Sequence, residues 1–61
     1  MLIPTHKQAS DYTKKMVPNA EIHWIDDVPG DGIVDVTFFI ALGCFRMSTW
    51  IEPNGEIYGE W

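Results

Sequence analysis

Two neighbouring stretches of alternating residues constrain this chain more than any other feature of its sequence. In the first, I-V-D-V-T-F-F-I, an apolar side chain occupies every second position from Val34 to Ile40. In the second, F-R-M-S-T-W-I-E, the alternation runs from Phe45 to Ile51, interrupted only by Thr49. A period of two places successive side chains on opposite faces of a strand. The pattern therefore predicts two antiparallel strands joined near Gly43, with one shared face turned towards a core.

The apolar faces also predict how these two strands align. A short connection around Leu42 and Gly43 brings apolar residues opposite one another across the pair. A slip of one residue would turn one strand over and is excluded by the pattern. A slip of two residues keeps the faces unchanged, so the pattern does not exclude it. The predicted opposite pairs are Ile40–Phe45, Phe38–Met47, Val36–Thr49 and Val34–Ile51 on the apolar face, and Phe39–Arg46 and Thr37–Ser48 on the other.

A helix is predicted ahead of the strands. Thr5 and Gln8 have the spacing of a capping box, in which each side chain bonds the other residue's backbone. Ala9, Tyr12 and Met16 then recur at helical spacing, and the pair P-N that follows ends the helix.

Two further strands complete the predicted sheet. Before the central pair, Ile22 and Trp24 are predicted to share the core face, which leaves His23 and Ile25 on the other. After it, the turn P-N-G predicts a hairpin in which Ile51 faces Ile57, Trp50 faces Tyr58 and Glu52 faces Glu56. Trp61 then falls on the core face over Met47, where burial would contribute about 2–3 kcal/mol.

The predicted fold is α+β, with one N-terminal helix packed on a four-stranded antiparallel β-meander (αββββ). It forms a single small domain over residues 1–61. The helix covers about residues 5–16, and the strands cover about 20–26, 32–41, 44–52 and 56–61.

The small size of the chain makes its stability marginal. With 61 residues and one cysteine, Cys44, it has no intrachain disulfide to stabilise it. Oligomerisation is the remaining means of stabilising so small a domain, so we predict a homo-oligomer. The free cysteine and the absence of a signal-peptide pattern indicate a cytoplasmic protein. No run of about 18 apolar residues is present, so no membrane association is predicted.

The charge of the chain is unevenly distributed and indicates the kind of partner. The net charge is −5, and the three lysines lie in the first 15 residues while eight of the nine carboxylates follow residue 19. This balance argues against direct binding to a nucleic-acid backbone, which needs clustered Lys and Arg. The acidic balance instead favours a binding partner that is another protein with a basic surface.

The face opposite the predicted helix, called the far face below, is not polar throughout. It is predicted to carry Ile33, Phe39, Trp50 and Tyr58, together with Arg46. Aromatic residues and arginine are enriched in interface cores and hot spots. Phe39, Arg46, Trp50 and Tyr58 are therefore the candidate anchors for a partner.

An acidic pole is predicted beside these anchors. In a meander, the first and third connections lie at the same end of the sheet, with Asp35 one step inside. This end would collect five carboxylates that could attract a basic partner: Asp26, Asp27, Asp31, Glu52 and Glu56.

No metal, cofactor or catalytic site is predicted. The segment D-D-V-P-G-D-G-I-V-D does not follow the ligand order of a calcium-binding EF-hand loop. No nucleophile elbow, phosphate loop or zinc signature is present. His23 is read as a surface residue and Cys44 as an inert thiol.

The sequence thus predicts a small acidic, non-catalytic binding protein that occupies a surface of another protein. In size and charge, though in no motif, it resembles phage-encoded inhibitors of host or defence proteins. The main alternative is a binder of small anionic ligands, with Arg46, Trp50 and Tyr58 lining a site between subunits of a homo-oligomer. Two weaker alternatives are an oligomeric enzyme using His23 and nucleic-acid binding through Lys7, Lys14 and Lys15.

Overall fold

The computed structural model describes residues 2–61 and confirms the predicted order of one helix and four strands. The sheet is antiparallel, with neighbouring strands in the order β1-β2-β3-β4. The elements are α1 (His6–Met16), β1 (Glu21–Val28), β2 (Ile33–Ile40), β3 (Gly43–Ile51) and β4 (Ile57–Glu60).

The helix begins at the predicted capping box. The Gln8 amide donates to Thr5 Oγ1 at 3.1 Å, and the Thr5 amide donates to Gln8 Oε1 at 2.8 Å. Ala9 and Thr13 are buried against the sheet, and Val17 continues the same stripe just past the helix end. Met16, predicted to lie on this stripe, is exposed instead, because the residues facing the sheet recur every four positions from Ala9.

The core lies between α1 and one face of the sheet. Its sheet side is formed by Val34, Val36, Phe38 and Met47, all at most 1% exposed. Thr49 is the polar residue on this face, and its hydroxyl donates to the Val34 carbonyl at 2.7 Å. The predicted core face of the two central strands is therefore correct, and its polar interruption is hydrogen-bonded.

The predicted alignment of β2 and β3 is wrong by two residues. Phe38 faces Phe45 rather than Met47, and Ile40 faces Gly43 across a two-residue turn. The turn ends one residue earlier than predicted, because Gly43 already belongs to β3 and pairs with Ile40. Gly43 has φ +140°, a backbone conformation that favours glycine. On the other face, Thr37 therefore lies opposite Arg46, Asp35 opposite Ser48, and Phe39 opposite Cys44.

A bulge in β1 reverses the predicted faces of its second half. Ile22 pairs with Phe38 and Trp24 with Thr37, so His23 is an extra residue between the two pairs. A bulge of one residue shifts the alternation that follows it. As a result, Ile25 packs on the core, and Trp24 lies on the far face.

The last hairpin forms as predicted, but its terminal tryptophan does not become buried. Trp50 faces Tyr58 and Ile51 faces Ile57, and Gly55, at φ +85°, closes the turn. Trp61 lies past β4 with its ring 5.4 Å from both Phe38 and Phe45, and it is 59% exposed. Its ring therefore packs on the edge of the core and stays largely exposed.

Among the described residues, no helix has the length and apolar character that a membrane crossing requires. The 11 residues of α1 would extend only about 16 Å, roughly half the thickness of a bilayer's hydrocarbon core.

Candidate protein-binding face

The far face of the sheet is the side that α1 leaves uncovered. The pairing of the strands arranges its side chains in rows that run across the sheet. In order along the strands, the paired rows are Glu21–Phe39–Cys44, Trp24–Thr37–Arg46, Asp26–Asp35–Ser48–Glu60, and finally Val28–Ile33 on β1 and β2 with Trp50–Tyr58 on β3 and β4.

Aromatic side chains occupy much of this face and are accessible. Trp24 is 60% exposed, Tyr58 42% and Phe39 40%, while Trp50 is half-buried. The His23 ring meets the Phe39 ring edge-on, with centroids 5.1 Å apart. Three of the four predicted anchors thus lie on one side of the sheet, with Phe39 near one end and Trp50 and Tyr58 near the other, and the bulge adds Trp24 between them.

Each of the polar aromatic groups on this face donates a hydrogen bond to a carboxylate two residues away. Trp24 Nε1 donates to Asp26 Oδ1 at 2.8 Å. Trp50 Nε1 donates to Glu52 Oε1 at 3.0 Å. The Tyr58 hydroxyl donates to Glu56 Oε2 at 3.3 Å. These bonds orient the rings, and they join two predicted anchors, Trp50 and Tyr58, to two carboxylates of the predicted acidic pole.

A sequence signal for these pairs exists that the periodicity argument did not use. The segments W-I-D at 24–26, W-I-E at 50–52 and E-I-Y at 56–58 each place an aromatic residue and an acid on either side of an isoleucine. Residues two apart in a strand point to the same face, whereas the residue between them points to the other. The motif therefore sets an aromatic–carboxylate pair on the far face and an isoleucine on the core side.

An acidic row crosses the middle of the far face. Asp26 of β1 lies directly opposite Asp35 of β2, and Glu60 of β4 lies opposite Ser48 of β3. Asp35 Oδ1 is buried and has no hydrogen-bond partner among the described residues. Like charges in directly opposite positions destabilise a sheet, and an unpaired buried acceptor adds to that effect. By these two rules, the row is expected to reduce the stability of the fold.

The predicted acidic pole is only partly brought together. Asp26, Glu52 and Glu56 point to the far face, and Asp31 lies in the turn between β1 and β2. Asp27 points to the helix side, where its Oδ1 lies 2.8 Å from His6 Nε2. The bulge at His23 is the reason, because it shifts Asp27 onto the face of Val34.

Glu52 and Glu56 make the end of this face strongly negative. The Glu52 amide donates to the Glu56 carbonyl at 2.8 Å, so the two residues lie opposite each other at the hairpin end. The charge of Glu56 is the largest cause that raises the pKa of the Tyr58 hydroxyl, and Glu52 adds to it. Both carboxylates therefore act electrostatically at the Tyr58 ring.

The remaining candidate residues are arranged as follows. Arg46 is exposed on the far face and forms no ion pair with the carboxylates of residues 2–61. Cys44 is an exposed free thiol in the row of Phe39. Within the part of the chain that the structure describes, no three potential ligands are grouped so as to hold a metal ion.

A shallow groove lies on the other side of the molecule, between α1 and β4. Its volume is about 290 Å³, and it is lined by Gln8, Asp11, Tyr12, Lys15 and Ile57. The volume is just below the usual range for small-molecule pockets, about 300–1,000 Å³. The groove contains none of the predicted site residues, so the far face is the better-supported candidate.

The chain matches no protein-family model, no curated protein and no solved structure.

Proposed function

We propose that this chain is a non-catalytic binding protein whose far face occupies a basic surface of another protein. The observation that supports the proposal best is the set of three aromatic groups hydrogen-bonded to carboxylates on the sheet face opposite α1. Tryptophan and tyrosine are enriched among interface hot spots. A surface of this kind offers both contact area and electrostatic attraction.

The charge of the far face favours a foreign partner over a second copy. Among residues 2–61, six carboxylates point to this face or its end, namely Glu21, Asp26, Asp35, Glu52, Glu56 and Glu60, against one arginine, Arg46. Two such faces brought together would repel each other, and an anionic ligand at Arg46 would be repelled as well. The homo-oligomer and the anionic-ligand site stay predictions. In both cases, contact through the far face would be opposed by electrostatic repulsion.

The proposal includes a mode of action. A negative, aromatic-rich sheet face could block a basic groove that normally holds nucleic acid, as an inhibitor of the phage type would. A cytoplasmic partner fits the exposed Cys44 thiol, which stays reduced in that compartment.

Affinity capture with a matched pair of tryptophan variants tests the proposal. The chain is immobilised and exposed to extract from the cells that encode it, and the retained proteins are identified and their affinities measured. Trp24 and Trp61 are almost equally exposed, at 60% and 59%, but lie on opposite sides of the sheet. Trp24→Ala should weaken capture of a basic protein at least tenfold, roughly the loss expected for a hot-spot residue, whereas Trp61→Ala should retain it.

Salt and folding serve as controls for the capture. Raising the salt concentration should slow association, because attraction between exposed charges is screened. Circular dichroism spectra must show that both variants are folded. Equal losses in the two variants, or a captured protein that is acidic and insensitive to salt, would contradict the proposal.

A further inference from the structure

The acidic row of the far face has a composition that the fold does not need. It consists of Asp26, Asp35, Ser48 and Glu60, and it crosses all four strands. A sheet position of this kind is usually filled by a β-branched or aromatic residue, with opposite charges paired across strands. Here Asp26 of the edge strand β1 opposes Asp35 of β2, and one Asp35 oxygen is buried without a donor among the described residues. Departures from such local rules are expected where a surface has a function.

The neighbours of the row define what it can receive. On one side lies the row that contains Trp24. On the other side, Val28 and Ile33 adjoin the two aspartates, while Trp50 and Tyr58 adjoin Ser48 and Glu60. Side chains two positions apart along a strand are about 7 Å apart, so each aromatic row directly adjoins the carboxylates. A group that enters the acidic row would therefore meet carboxylate oxygens and aromatic rings at the same time.

A guanidinium group is the chemical group that matches this arrangement best. It is planar and always charged, it donates up to five hydrogen bonds in a fixed fork, and it stacks on aromatic faces. An ammonium group offers the charge and the donors but has no flat face to stack. Arg46 of the same chain lies in the adjoining row and forms no ion pair with a described carboxylate.

We infer that the acidic row and its two flanking aromatic rows receive arginine side chains of the partner protein. This inference rests on the proposed function and specifies the chemistry of the partner. Arginine would neutralise Asp26, Asp35 and Glu60 and would stack on Trp24, Trp50 or Tyr58. The carboxylates of the row repel one another in the free chain. Arginine binding would neutralise this repulsion, so the row costs stability in the free chain but contributes to affinity in the complex.

The three tryptophans allow a direct test by nuclear magnetic resonance. The indole N–H groups of Trp24 and Trp50 donate to Asp26 and Glu52, so a cation at these carboxylates should shift their signals. Trp61 lies on the other side of the sheet and provides an internal control. The ¹⁵N-labelled full chain is titrated with Nα-acetyl-arginine amide at constant ionic strength, with the lysine and citrulline amides as matched probes.

The inference predicts three results from this titration. The arginine amide shifts the indole signals of Trp24 and Trp50 with half-saturation in the millimolar range and leaves that of Trp61 unchanged. The lysine amide binds about two- to fivefold more weakly, the factor expected from the lost stacking at an exposed site. Citrulline, which has the same shape without the charge, causes no saturable shift.

A charge-matched pair of variants assigns the effect to the acidic row. Asp35→Asn and Asp31→Asn each remove one negative charge, but Asp31 lies in a turn outside the row. Asp35→Asn should weaken arginine binding several-fold and raise the melting temperature by several degrees, because it removes the repulsion with Asp26. Asp31→Asn should have a much smaller effect on both the arginine affinity and the melting temperature.

The outcomes of this experiment and of the capture experiment can be separated. Equal binding of arginine and lysine, an equal shift of Trp61, or no shift at tens of millimolar would overturn the inference. Loss of melting temperature in Asp35→Asn would overturn the assignment to the row. If capture depends on Trp24 while arginine does not bind, the proposed function stands and the arginine inference fails. If arginine binds but no basic partner is captured, the proposed function fails instead.

Discussion

Phe38→Ala is expected to remove most of the stability of this chain. Phe38 is fully buried between α1 and the sheet, and its ring also contacts those of Phe45 and Trp61. Truncation of a buried phenylalanine costs about 3–5 kcal/mol. A domain of this length has a total stability of about 3–9 kcal/mol, from the usual range per residue. The variant should therefore be largely unfolded or melt far below the wild type, as measured by circular dichroism in heat and urea.

The neighbouring residue provides the matched control. Phe39 has the same side chain, but it lies on the far face and is 40% exposed. Phe39→Ala should lose at most about 1 kcal/mol of unfolding free energy, because little buried area is removed. A larger loss in Phe39→Ala than in Phe38→Ala would mean that β2 is turned over, since a slip of one residue exchanges the two faces.

Gly59→Ala is expected to cause the second largest loss of stability. Gly59 lies opposite Thr49 on the core face, and the Tyr12 ring of α1 packs in the space left by its missing side chain. An added Cβ would lie 2.7 Å from Tyr12 Cε2, 3.0 Å from the Ser48 carbonyl oxygen and 3.1 Å from Met47 Sδ. Overpacking of this kind costs about 1–3 kcal/mol. The melting temperature should fall by about 4–8 °C for each kcal/mol lost.

A double variant tests whether the Tyr12 ring is the cause. In a Tyr12→Ala background, the same Gly59→Ala change should cost less, because the closest of the three contacts is then absent. The difference is an interaction energy between the two positions. Equal costs in both backgrounds would show that α1 does not pack closely on β4.

Much of the fold follows from the sequence because the strongest signals are local. The capping box at Thr5, the alternation from Val34 to Ile40 and the glycine of the last turn each specify one element. Once two alternating strands share an apolar face, a helix with a matching stripe has only that face to cover. The face assignments of β2, β3 and β4 are therefore correct.

The errors arise where periodicity carries no information. An alternating pattern is unchanged by a shift of two residues, so it could not distinguish a turn at Ala41–Leu42 from one that begins a residue later. Only the conformation of Gly43 decides between them. The bulge at His23 has no counterpart in the pattern, because Ile22, Trp24 and Ile25 are apolar on both sides of it. That single insertion accounts for the errors at Trp24, Ile25 and Asp27.

The candidate site could be predicted in outline but not in arrangement. Phe39, Arg46, Trp50 and Tyr58 lie on the far face as expected, since their faces follow from parity. The acidic row could not be foreseen, because it depends on both the corrected alignment of β2 with β3 and the bulge in β1. The aromatic–carboxylate pairs could have been found, since they follow from the spacing of W-I-D, W-I-E and E-I-Y.

The central claim is that the far face contacts another protein, and photo-crosslinking in the native cells tests it most directly. A photoreactive phenylalanine analogue is placed at Phe39, on the far face, or at Leu42, which is 86% exposed in a turn beyond the sheet. We predict that the probe at position 39 crosslinks to a basic protein other than this chain, whereas the probe at position 42 does not. Crosslinking only from position 42, or from position 39 only to a second copy of the chain, would contradict the account.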